Sequence, residues 1–294
     1  MGERCGAISA YIVGIYRWFV EERDMKYIFL LLAAIAGILQ LHAATVDTVT
    51  VRSTRMGKEI KAVVIAPENK KATSTLYLLH GYSGNYASWL KTAPHIKQLV
   101  DTYGYMVVCP DGGFSSWYWD TEDNDYQYET FITKELIPFV EQQYQVGSDR
   151  ANRAITGLSM GGHGALYLAF RHQDLFAFAG STSGGVDIRP FPDNWSMKEH
   201  LGDYHEKPEV WNAHTVIELT HLVKPQSLRL FIDCGTEDFF FEVNNKLHDK
   251  LTYMNIPHHY LTMPGKHNHE YWAKSIDFQM AFFSQCFQDQ SAKK

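Results

Sequence analysis

Cysteine is scarce in this sequence, and its few copies form no metal-binding or redox pattern. Four cysteines occur among 294 residues, and three of them, Cys109, Cys234 and Cys286, follow the apolar segment near the N-terminus. An odd, small number of cysteines does not make a disulfide framework. Cys109 and Cys234 each lie in an apolar run typical of a strand, so we expect buried free thiols. Neither C-x-x-C nor H-E-x-x-H occurs, and we therefore expect no metal site and no cofactor.

Positive charge is not in excess either. The formal net charge is −6 at pH 7, so we expect no general attraction to nucleic acid. The other totals, 45% hydrophobic and 20% charged residues, are those of an ordinary globular protein with one sizeable core. The sequence shows no internal repeat and no linker, which indicates that residues 44–294 form one domain.

The apolar run near the N-terminus is short for a membrane span. Residues 28–41 are fourteen residues without a charge; they follow the basic Lys26 and end close to the small residues Ala43 and Ala44. A basic start, a short apolar core and small residues at a cleavage site are typical of a secretory signal. We therefore predict a signal peptide at residues 25–43, no stable membrane span after its removal, and a secreted or periplasmic protein.

The first 24 residues do not fit this signal pattern. Charges such as those of Arg17 and Asp24 stand where the apolar core of a signal should begin. We expect translation to start at Met25 and residues 1–24 to be a mis-assigned extension. A membrane anchor formed by residues 8–20 or 28–41 is the alternative.

From residue 46 onward, segments with strand character alternate with segments with helix character. Residues 46–53 alternate between apolar and polar side chains, and a turn separates them from residues 60–66, which predicts an antiparallel hairpin. The later strand candidates are continuous apolar runs, as expected for strands buried on both faces. We therefore predict an α/β fold: a mostly parallel sheet with helices on both faces and an N-terminal antiparallel hairpin. Strands are predicted at residues 76–80, 106–109, 153–156, 176–181, 228–233 and 259–263, and helices at residues 89–103, 128–144, 162–170, 242–254 and 270–287.

One pentapeptide, Gly157-Leu158-Ser159-Met160-Gly161, stands between a predicted buried strand and a predicted helix. In that context G-x-S-x-G is a nucleophile elbow, a sharp turn that lifts the serine hydroxyl out of the sheet. We therefore expect Ser159 to be a nucleophile and the N–H of Met160 to contribute to an oxyanion hole. A glycine-rich connection without chemistry is the alternative.

A nucleophilic serine needs a base, and the base needs a group that holds it. Enzymes built on this elbow have the order serine, acid, histidine along the chain. Asp238 is the candidate acid, because Asp233 still belongs to a strand end and Glu237 is expected to face solvent. His267 is the candidate base, because it precedes His269 after the turn that follows the last strand. As alternatives, Asp238 caps a helix, Asp233 is a structural carboxylate that satisfies nearby backbone, and His267 is an exposed loop histidine.

The second oxyanion donor is expected in the loop after the strand at residues 76–80. That loop begins with His80 and Gly81, an HG-type sequence of the kind that supplies a backbone N–H in esterases. Tyr82 is the candidate donor. The H-G-x-x-G pattern is weak by itself and gains weight from its position after the third predicted strand.

Six motifs occur in order along the chain and carry a family resemblance. They are His80-Gly81-Tyr82-Ser83-Gly84, Pro110-Asp111-Gly112-Gly113, Tyr128-Glu129-Thr130 with Glu135-Leu136-Ile137-Pro138, Gly157-Leu158-Ser159-Met160-Gly161-Gly162, Cys234-Gly235-Thr236-Glu237-Asp238 and Gly265-Lys266-His267. Together they resemble the secreted esterases of the α/β-hydrolase fold, which include tributyrin, feruloyl and acetyl-xylan esterases. S-formylglutathione hydrolases and mycolyltransferases are relatives of that family. The resemblance covers the chain from about residue 46 to residue 285.

The resemblance implies a role for each matching residue. The family's serine, acid and histidine fall on Ser159, Asp238 and His267, and its oxyanion donors fall on Tyr82 and Met160. Family members often carry a tryptophan two residues after the histidine. This chain has a second histidine there, which leaves the triad intact and changes the pocket wall.

Aromatic side chains are dense in the loops near the expected site. Trp117, Trp119 and Trp195 are candidates for the lining of an acyl or sugar pocket, with loop packing as the alternative. Trp195 lies in residues 186–226, whose four prolines and short helical pieces predict a cap-like insertion. Residues 120–125 contain four acids, which indicates a solvated loop or, as a second interpretation, a weak calcium site.

These features predict a secreted serine esterase that works through an acyl-enzyme. The expected substrates are short-chain or carbohydrate-linked esters, such as acetyl or feruloyl esters. An acyltransferase of the mycolyltransferase type and a catalytically silent carbohydrate-binding protein are the alternatives. Cytosolic hydrolysis of S-formylglutathione is disfavoured by the predicted export signal.

Overall fold

The residues after position 43 form a mostly parallel β-sheet. The computed structural model describes residues 26–27, 44–68 and 70–291. The strands in these residues are β1 (Thr45–Ser53), β2 (Lys58–Ala66), β3 (Thr75–Leu79), β4 (Met106–Pro110), β5 (Arg153–Gly157), β6 (Phe178–Thr182), β7 (Arg229–Gly235) and β8 (His258–Met263). They form one sheet in the order β1-β2-β4-β3-β5-β6-β7-β8. The pairs β1–β2 and β2–β4 are antiparallel, and the other pairs are parallel.

This arrangement confirms the predicted fold class, including the N-terminal antiparallel hairpin. The three cysteines after the predicted signal are buried and free, as expected for Cys109 and Cys234. The predicted signal peptide at residues 25–43 and the predicted extension at residues 1–24 lie outside the described residues, except for positions 26 and 27. In the described part of the chain, no helix combines the length and the apolar character needed to cross a bilayer.

Helices fill most of the connections between strands. They are α1 (Ser88–Thr92), α2 (Ile96–Tyr103), α3 (Tyr128–Thr130), α4 (Ile137–Tyr144), α5 (Met160–Arg171), α6 (Met197–Leu201), α7 (Pro208–Ala213), α8 (Phe241–Tyr253) and α9 (His269–Ser291). Short 3-10 turns cover Arg150–Asn152 and Glu218–Leu222, and a π-helical stretch, Phe131–Leu136, joins α3 to α4.

Two prolines explain where the helices differ from expectation. The single helix predicted at residues 89–103 is divided into α1 and α2 around Pro94, which has no N–H with which to continue the hydrogen-bond ladder. The helix predicted at residues 128–144 is present, but its middle part, Phe131–Leu136, has π geometry and ends shortly before Pro138. Pro138 cannot donate to the carbonyl four residues earlier, so the regular ladder is interrupted there.

The two faces of the sheet bury separate hydrophobic layers. In β3, Tyr77 belongs to the layer that contains Leu166 of α5, and its neighbour Leu76 belongs to the layer that contains Met280 of α9. This alternation is the two-residue period of a strand. All five residues of β3 are buried, as are those of β4, β5 and β6. The continuous apolar runs in the sequence therefore reflect strands that are covered on both sides.

The segment predicted as a cap-like insertion, residues 186–226, contains α6, α7 and the turn Glu218–Leu222. Two of its side chains, Trp211 and Val216, are fully buried in the same layer as α5. Much of this segment therefore extends the core.

A buried polar network fastens α9 to the middle of the sheet. The Asp233 carboxylate accepts hydrogen bonds from Ser275 Oγ (2.7 Å), Gln279 Nε2 (2.7 Å) and Thr182 Oγ1 (2.9 Å). Gln279 Oε1 accepts another from Thr156 Oγ1 at 2.6 Å. Asp233 is thus the structural carboxylate of the alternative interpretation, although its carboxylate partners are side chains and not backbone. Burial raises the pKa of Asp233 from 3.8 to about 6.

This raised pKa predicts a specific pH dependence of stability. The folded state holds the Asp233 proton more tightly than the unfolded state, so this group stabilises the fold below pH 3.8 and loses that contribution as the pH rises through about 6. Between about pH 4 and pH 7, the free energy of unfolding of the wild type relative to Asp233→Asn should fall by about 2 kcal/mol. Urea unfolding of both proteins across this range measures it. A difference that stays constant or rises with pH would contradict the assignment.

Candidate active site

Ser159 lies in the sharp turn between β5 and α5. Its φ of 56° and ψ of −118° are unusual for a residue other than glycine. The Ser159 N–H donates to the carbonyl of Thr182 at 2.9 Å, and the Leu158 N–H donates to that of Leu79 at 3.3 Å. Neighbouring strands on both sides of β5 therefore hold the turn in its strained conformation.

The close approach of β3 to this turn accounts for a glycine at position 161. A Cβ atom built there would meet the carbonyl oxygen of Leu79, and would lie 2.6 Å from the carbonyl oxygen of His80. Both obstacles are backbone atoms, which cannot swing aside. The end of β3 is thus packed directly against the residues that carry Ser159.

Ser159, His267 and Asp238 form one continuous hydrogen-bonded chain. His267 Nε2 lies 2.9 Å from Ser159 Oγ, and His267 Nδ1 lies 2.8 Å and 3.0 Å from the two carboxylate oxygens of Asp238. A carboxylate accepts, so Nδ1 carries the proton, and Nε2 then offers its lone pair to the serine hydroxyl. This geometry can remove the serine proton and stabilise the positive charge that results.

The carboxylate of Asp238 also accepts the N–H of Phe240 at 2.8 Å. Phe240 precedes α8, which begins at Phe241 and has no side-chain cap. The contacts with Phe240 and His267 together hold the buried carboxylate in one orientation. Glu237 is exposed and lies 3.8 Å from Lys266. His269 Nδ1 lies 2.7 Å from Thr92 Oγ1, and no hydrogen bond joins this ring to Ser159.

The two residues predicted to supply the oxyanion hole both lie near Ser159. Met160 is the first residue of α5, a position whose N–H has no partner within a helix. Tyr82 borders the same cavity as Ser159. In the part of the chain that the structure describes, neither N–H donates to a protein acceptor.

A cavity of about 560 Å³ opens above Ser159. Its walls present polar and apolar surface in equal measure, two tryptophans are among them, and Lys91 is the one lysine, arginine or carboxylate side chain that lines it. The lining residues are Gly81, Tyr82, Ser83, Gly84, Asn85, Ser88, Lys91, Thr92, Leu158, Ser159, Trp195, His267, His269 and Trp272.

Only one of the three tryptophans predicted to contact substrate lies at this cavity. Trp195 lines it, whereas Trp117 and Trp119 are 1% and 0% exposed and pack around the ring of His163. The indole N–H of Trp119 donates to His163 Nε2 at 3.0 Å. The prediction for Trp117 and Trp119 is therefore wrong. Their large apolar rings are buried, and the polar atom of Trp119 is satisfied, inside the core.

His163 is the residue around which these tryptophans are arranged. Its Nδ1–H donates to the carbonyl of Gly185 at 2.8 Å, and its Nε2 accepts from Trp119. Burial lowers the pKa of His163 to about 3, so the ring is neutral. His163 therefore joins α5 to the aromatic loop and takes no part in the cavity.

Several residues at the site belong to none of the motifs from which the site was predicted. Phe239 is 51% exposed, and the centroid of its ring lies 4.2 Å from that of the His267 ring and 5.6 Å from that of the Trp195 ring. Lys91 and Trp272 reach the cavity from α1 and α9. The position of Phe239 directly after Asp238 was the available signal for its proximity to the site.

The acidic loop at residues 120–125 has a structural role. Asp120 accepts hydrogen bonds from the N–H (2.9 Å) and the hydroxyl (2.5 Å) of Thr130, at the start of the helical segment. In the described ranges, no group of three or more histidine, cysteine or acidic side chains is arranged to hold a metal ion.

Sequence comparison relates this arrangement to known proteins. The model of an esterase family, described as "Putative esterase", matches residues 53–283. An acetyl esterase from Caldicellulosiruptor saccharolyticus is 28% identical over 214 residues, which cover 69% of this chain and 80% of that protein. The diacylglycerol acyltransferase/mycolyltransferase Ag85B from Mycolicibacterium smegmatis is 29% identical over 226 residues, which cover 69% of this chain and 68% of that protein.

Solved structures agree with the sequence matches. A ferulic acid esterase superposes with a TM-score of 0.72 and 26% identity, covering 83% of this chain and 98% of that structure. An S-formylglutathione hydrolase from Staphylococcus aureus superposes with a TM-score of 0.72 and 22% identity, covering 82% of this chain and 99% of that structure. The second likeness is one of fold.

The close approach at the turn predicts that Gly161→Ala is severely destabilising. The added methyl group meets backbone atoms, so either β3 or the turn must move, at a cost of about 3 kcal/mol. Gly57→Ala is the matched control: Gly57 has φ of 67° but open space around it, so about 1 kcal/mol is expected. Chemical denaturation of both variants measures the difference. Equal losses would show that the turn can relax.

Proposed function

We propose, from the premise that this chain belongs to the esterase family and is a serine carboxylic-ester hydrolase, that it works through an acyl-enzyme formed on Ser159. The observation that carries this proposal is the continuous contact from Asp238 through His267 to Ser159. Each of the three groups has the partner that its role requires, and the serine oxygen faces a cavity large enough for a small ester.

In the proposed reaction, His267 Nε2 takes the hydroxyl proton while Ser159 Oγ attacks the ester carbonyl carbon. The carbonyl oxygen becomes an oxyanion, which accepts hydrogen bonds from the N–H groups of Tyr82 and Met160. Asp238 stabilises the imidazolium. His267 then gives its proton to the alcohol oxygen as the C–O bond breaks. Water, deprotonated by His267, attacks the acyl-enzyme and releases the acid and the serine.

We further propose short-chain or carbohydrate-linked esters, such as acetyl or feruloyl esters, as substrates. The polar wall formed by Ser83, Asn85, Ser88 and Thr92 supports a hydroxyl-rich alcohol, and the ring of Trp195 offers an apolar face to it. The names of the acetyl esterase and the ferulic acid esterase among the similar proteins support the same classes. A panel of p-nitrophenyl esters beside acetylated and feruloylated xylan distinguishes these substrates.

Acyl transfer is the second candidate, because a mycolyltransferase is among the similar sequences. Both reactions share the acyl-enzyme and differ in the acceptor that releases it. Adding an alcohol or a sugar to the ester assay separates them: free acid as the dominant product supports hydrolysis, and a dominant new ester supports transfer.

We also propose that the protein is exported, with a mature chain that begins near Ala44. The signal-like pattern at residues 25–43 supports this, and β1 begins at Thr45, directly after the proposed cleavage site. Mass spectrometry of the protein recovered from the periplasm or the medium tests it. Peptides from residues 1–24 in that fraction would contradict both export by this signal and the proposed start at Met25.

Two neighbouring acids, Asp238 and Glu237, allow the proposed role of Asp238 to be distinguished from the general effect of removing a negative charge. Asp238→Asn replaces the acceptor that fixes the His267 tautomer, so kcat for p-nitrophenyl acetate should fall by about 10³-fold or more, as it should in Ser159→Ala. Glu237→Gln is the matched control, because it removes an exposed carboxylate beside Asp238 and should leave kcat within about twofold.

Steady-state kinetics of the three variants, each with an unfolding curve, provide the measurement. Turnover retained in Ser159→Ala would refute the nucleophile. Equal losses in Asp238→Asn and Glu237→Gln would refute the proposed role of Asp238.

A further inference from the structure

His80 is a buried histidine at the end of β3, and both of its ring nitrogens have backbone partners. The N–H of Gly112 donates to His80 Nε2 at 2.7 Å, and His80 Nδ1 lies 2.8 Å from the carbonyl oxygen of Gly81. A backbone N–H can only donate and a carbonyl oxygen can only accept. The two partners together therefore assign the neutral tautomer with its proton on Nδ1.

The carbonyl oxygen of Gly81, which accepts the hydrogen bond from His80, belongs to the peptide that carries one of the proposed oxyanion donors. The carbonyl of Gly81 and the N–H of Tyr82 are the two ends of one peptide unit. In a planar trans peptide the C=O and N–H bonds point in opposite directions. Any contact that fixes the Gly81 oxygen on the core side therefore fixes the Tyr82 N–H on the other side of the peptide. Tyr82 is one of the residues that line the cavity of Ser159.

Two donors hold that oxygen: His80 Nδ1–H and the N–H of Gly84, at 3.0 Å. Gly84 lies in the same loop and moves with it. His80 adjoins β3, its ring is tied to the loop after β4 through Gly112, and its own carbonyl accepts the hydroxyl of Tyr118 at 3.0 Å. The His80 contact is thus the one that ties the orientation of the peptide to the sheet.

We propose that His80 is a positioning residue for the oxyanion hole: its Nδ1–H holds and polarises the Gly81–Tyr82 peptide so that the Tyr82 N–H points at the developing oxyanion. This inference rests on the proposed function, because it takes the Tyr82 N–H as a donor to the oxyanion. Donation to a carbonyl oxygen also strengthens the N–H of the same peptide as a donor, because linked hydrogen bonds polarise one another.

The surroundings keep the His80 ring in the required form. The side chain is 1% exposed, and burial lowers the pKa of His80, which favours the neutral ring. The Asp111 carboxylate, 3.9 Å from Nε2, and the hydrogen bond to Gly81 act in the opposite direction and are smaller effects. The hydroxyl of Tyr118, whose pKa burial raises, is neutral as well.

Two amide substitutions separate the two hydrogen bonds of the ring. In His80→Asn the side-chain NH₂ lies near the place of Nδ1 and can still donate to Gly81. In His80→Gln the amide extends to the place of Nε2, where it can accept from Gly112 but leaves Gly81 without its donor. For hydrolysis of p-nitrophenyl acetate, we expect kcat to fall about 10- to 100-fold in His80→Gln, with KM within about threefold. His80→Asn should recover most of kcat.

Three outcomes would overturn the proposal: unchanged kcat in His80→Gln, equal losses of kcat in both variants, or a loss confined to KM. A fluorophosphonate that fails to label wild-type Ser159 would instead count against the proposed function itself. If neither variant folds, ¹⁵N NMR of the wild type decides by locating the ring proton of His80. A proton on Nδ1 supports the proposal, and a proton on Nε2 alone, or on both nitrogens, overturns it.

Discussion

The close approach of two backbones, at the end of β3 and at the start of α5, is the constraint on which the site depends. A Cβ atom at Gly161 would meet the Leu79 carbonyl, so the turn that carries Ser159 packs against β3 without an intervening side chain. The chain leaving β3 passes through His80 and Gly81 to Tyr82. The same contact that holds Ser159 in its strained turn therefore brings the loop of the second proposed oxyanion donor close to it. One packing constraint thus serves both the nucleophile and the proposed oxyanion hole.

The parallel sheet brings the remaining groups to the same edge. Asp238 follows β7 and His267 follows β8, two neighbouring parallel strands whose carboxyl ends face the nucleophile. The buried network of Asp233, Ser275 and Gln279 ties α9 to β7 just behind this edge. The strand ends that carry acid and base are therefore supported from within the core, and the cavity lies in front of them.

The order of elements and the hydrogen-bonded chain of Ser159, His267 and Asp238 could be predicted because each depends on local sequence. A buried strand appears as an apolar run, the elbow demands small residues, and Asp238 and His267 lie in the loops that follow predicted strands. The pocket could not be predicted in the same way. An aromatic loop can turn its rings inward or outward, and Trp117 and Trp119 turn inward because His163, more than 40 positions away, offers a partner. Lys91 reaches the cavity from the short helix α1, and no motif in the sequence indicates this.

Covalent labelling tests the central claim most directly, because it depends on the nucleophile and needs no knowledge of the natural ester. The wild-type protein is treated with a fluorophosphonate, and the labelled peptide is identified by mass spectrometry. The account predicts a single adduct, on Ser159, that forms far more slowly when His267 is replaced by alanine. Absence of an adduct, an adduct on another residue, or labelling of Ser159 at the same rate without His267 would contradict it.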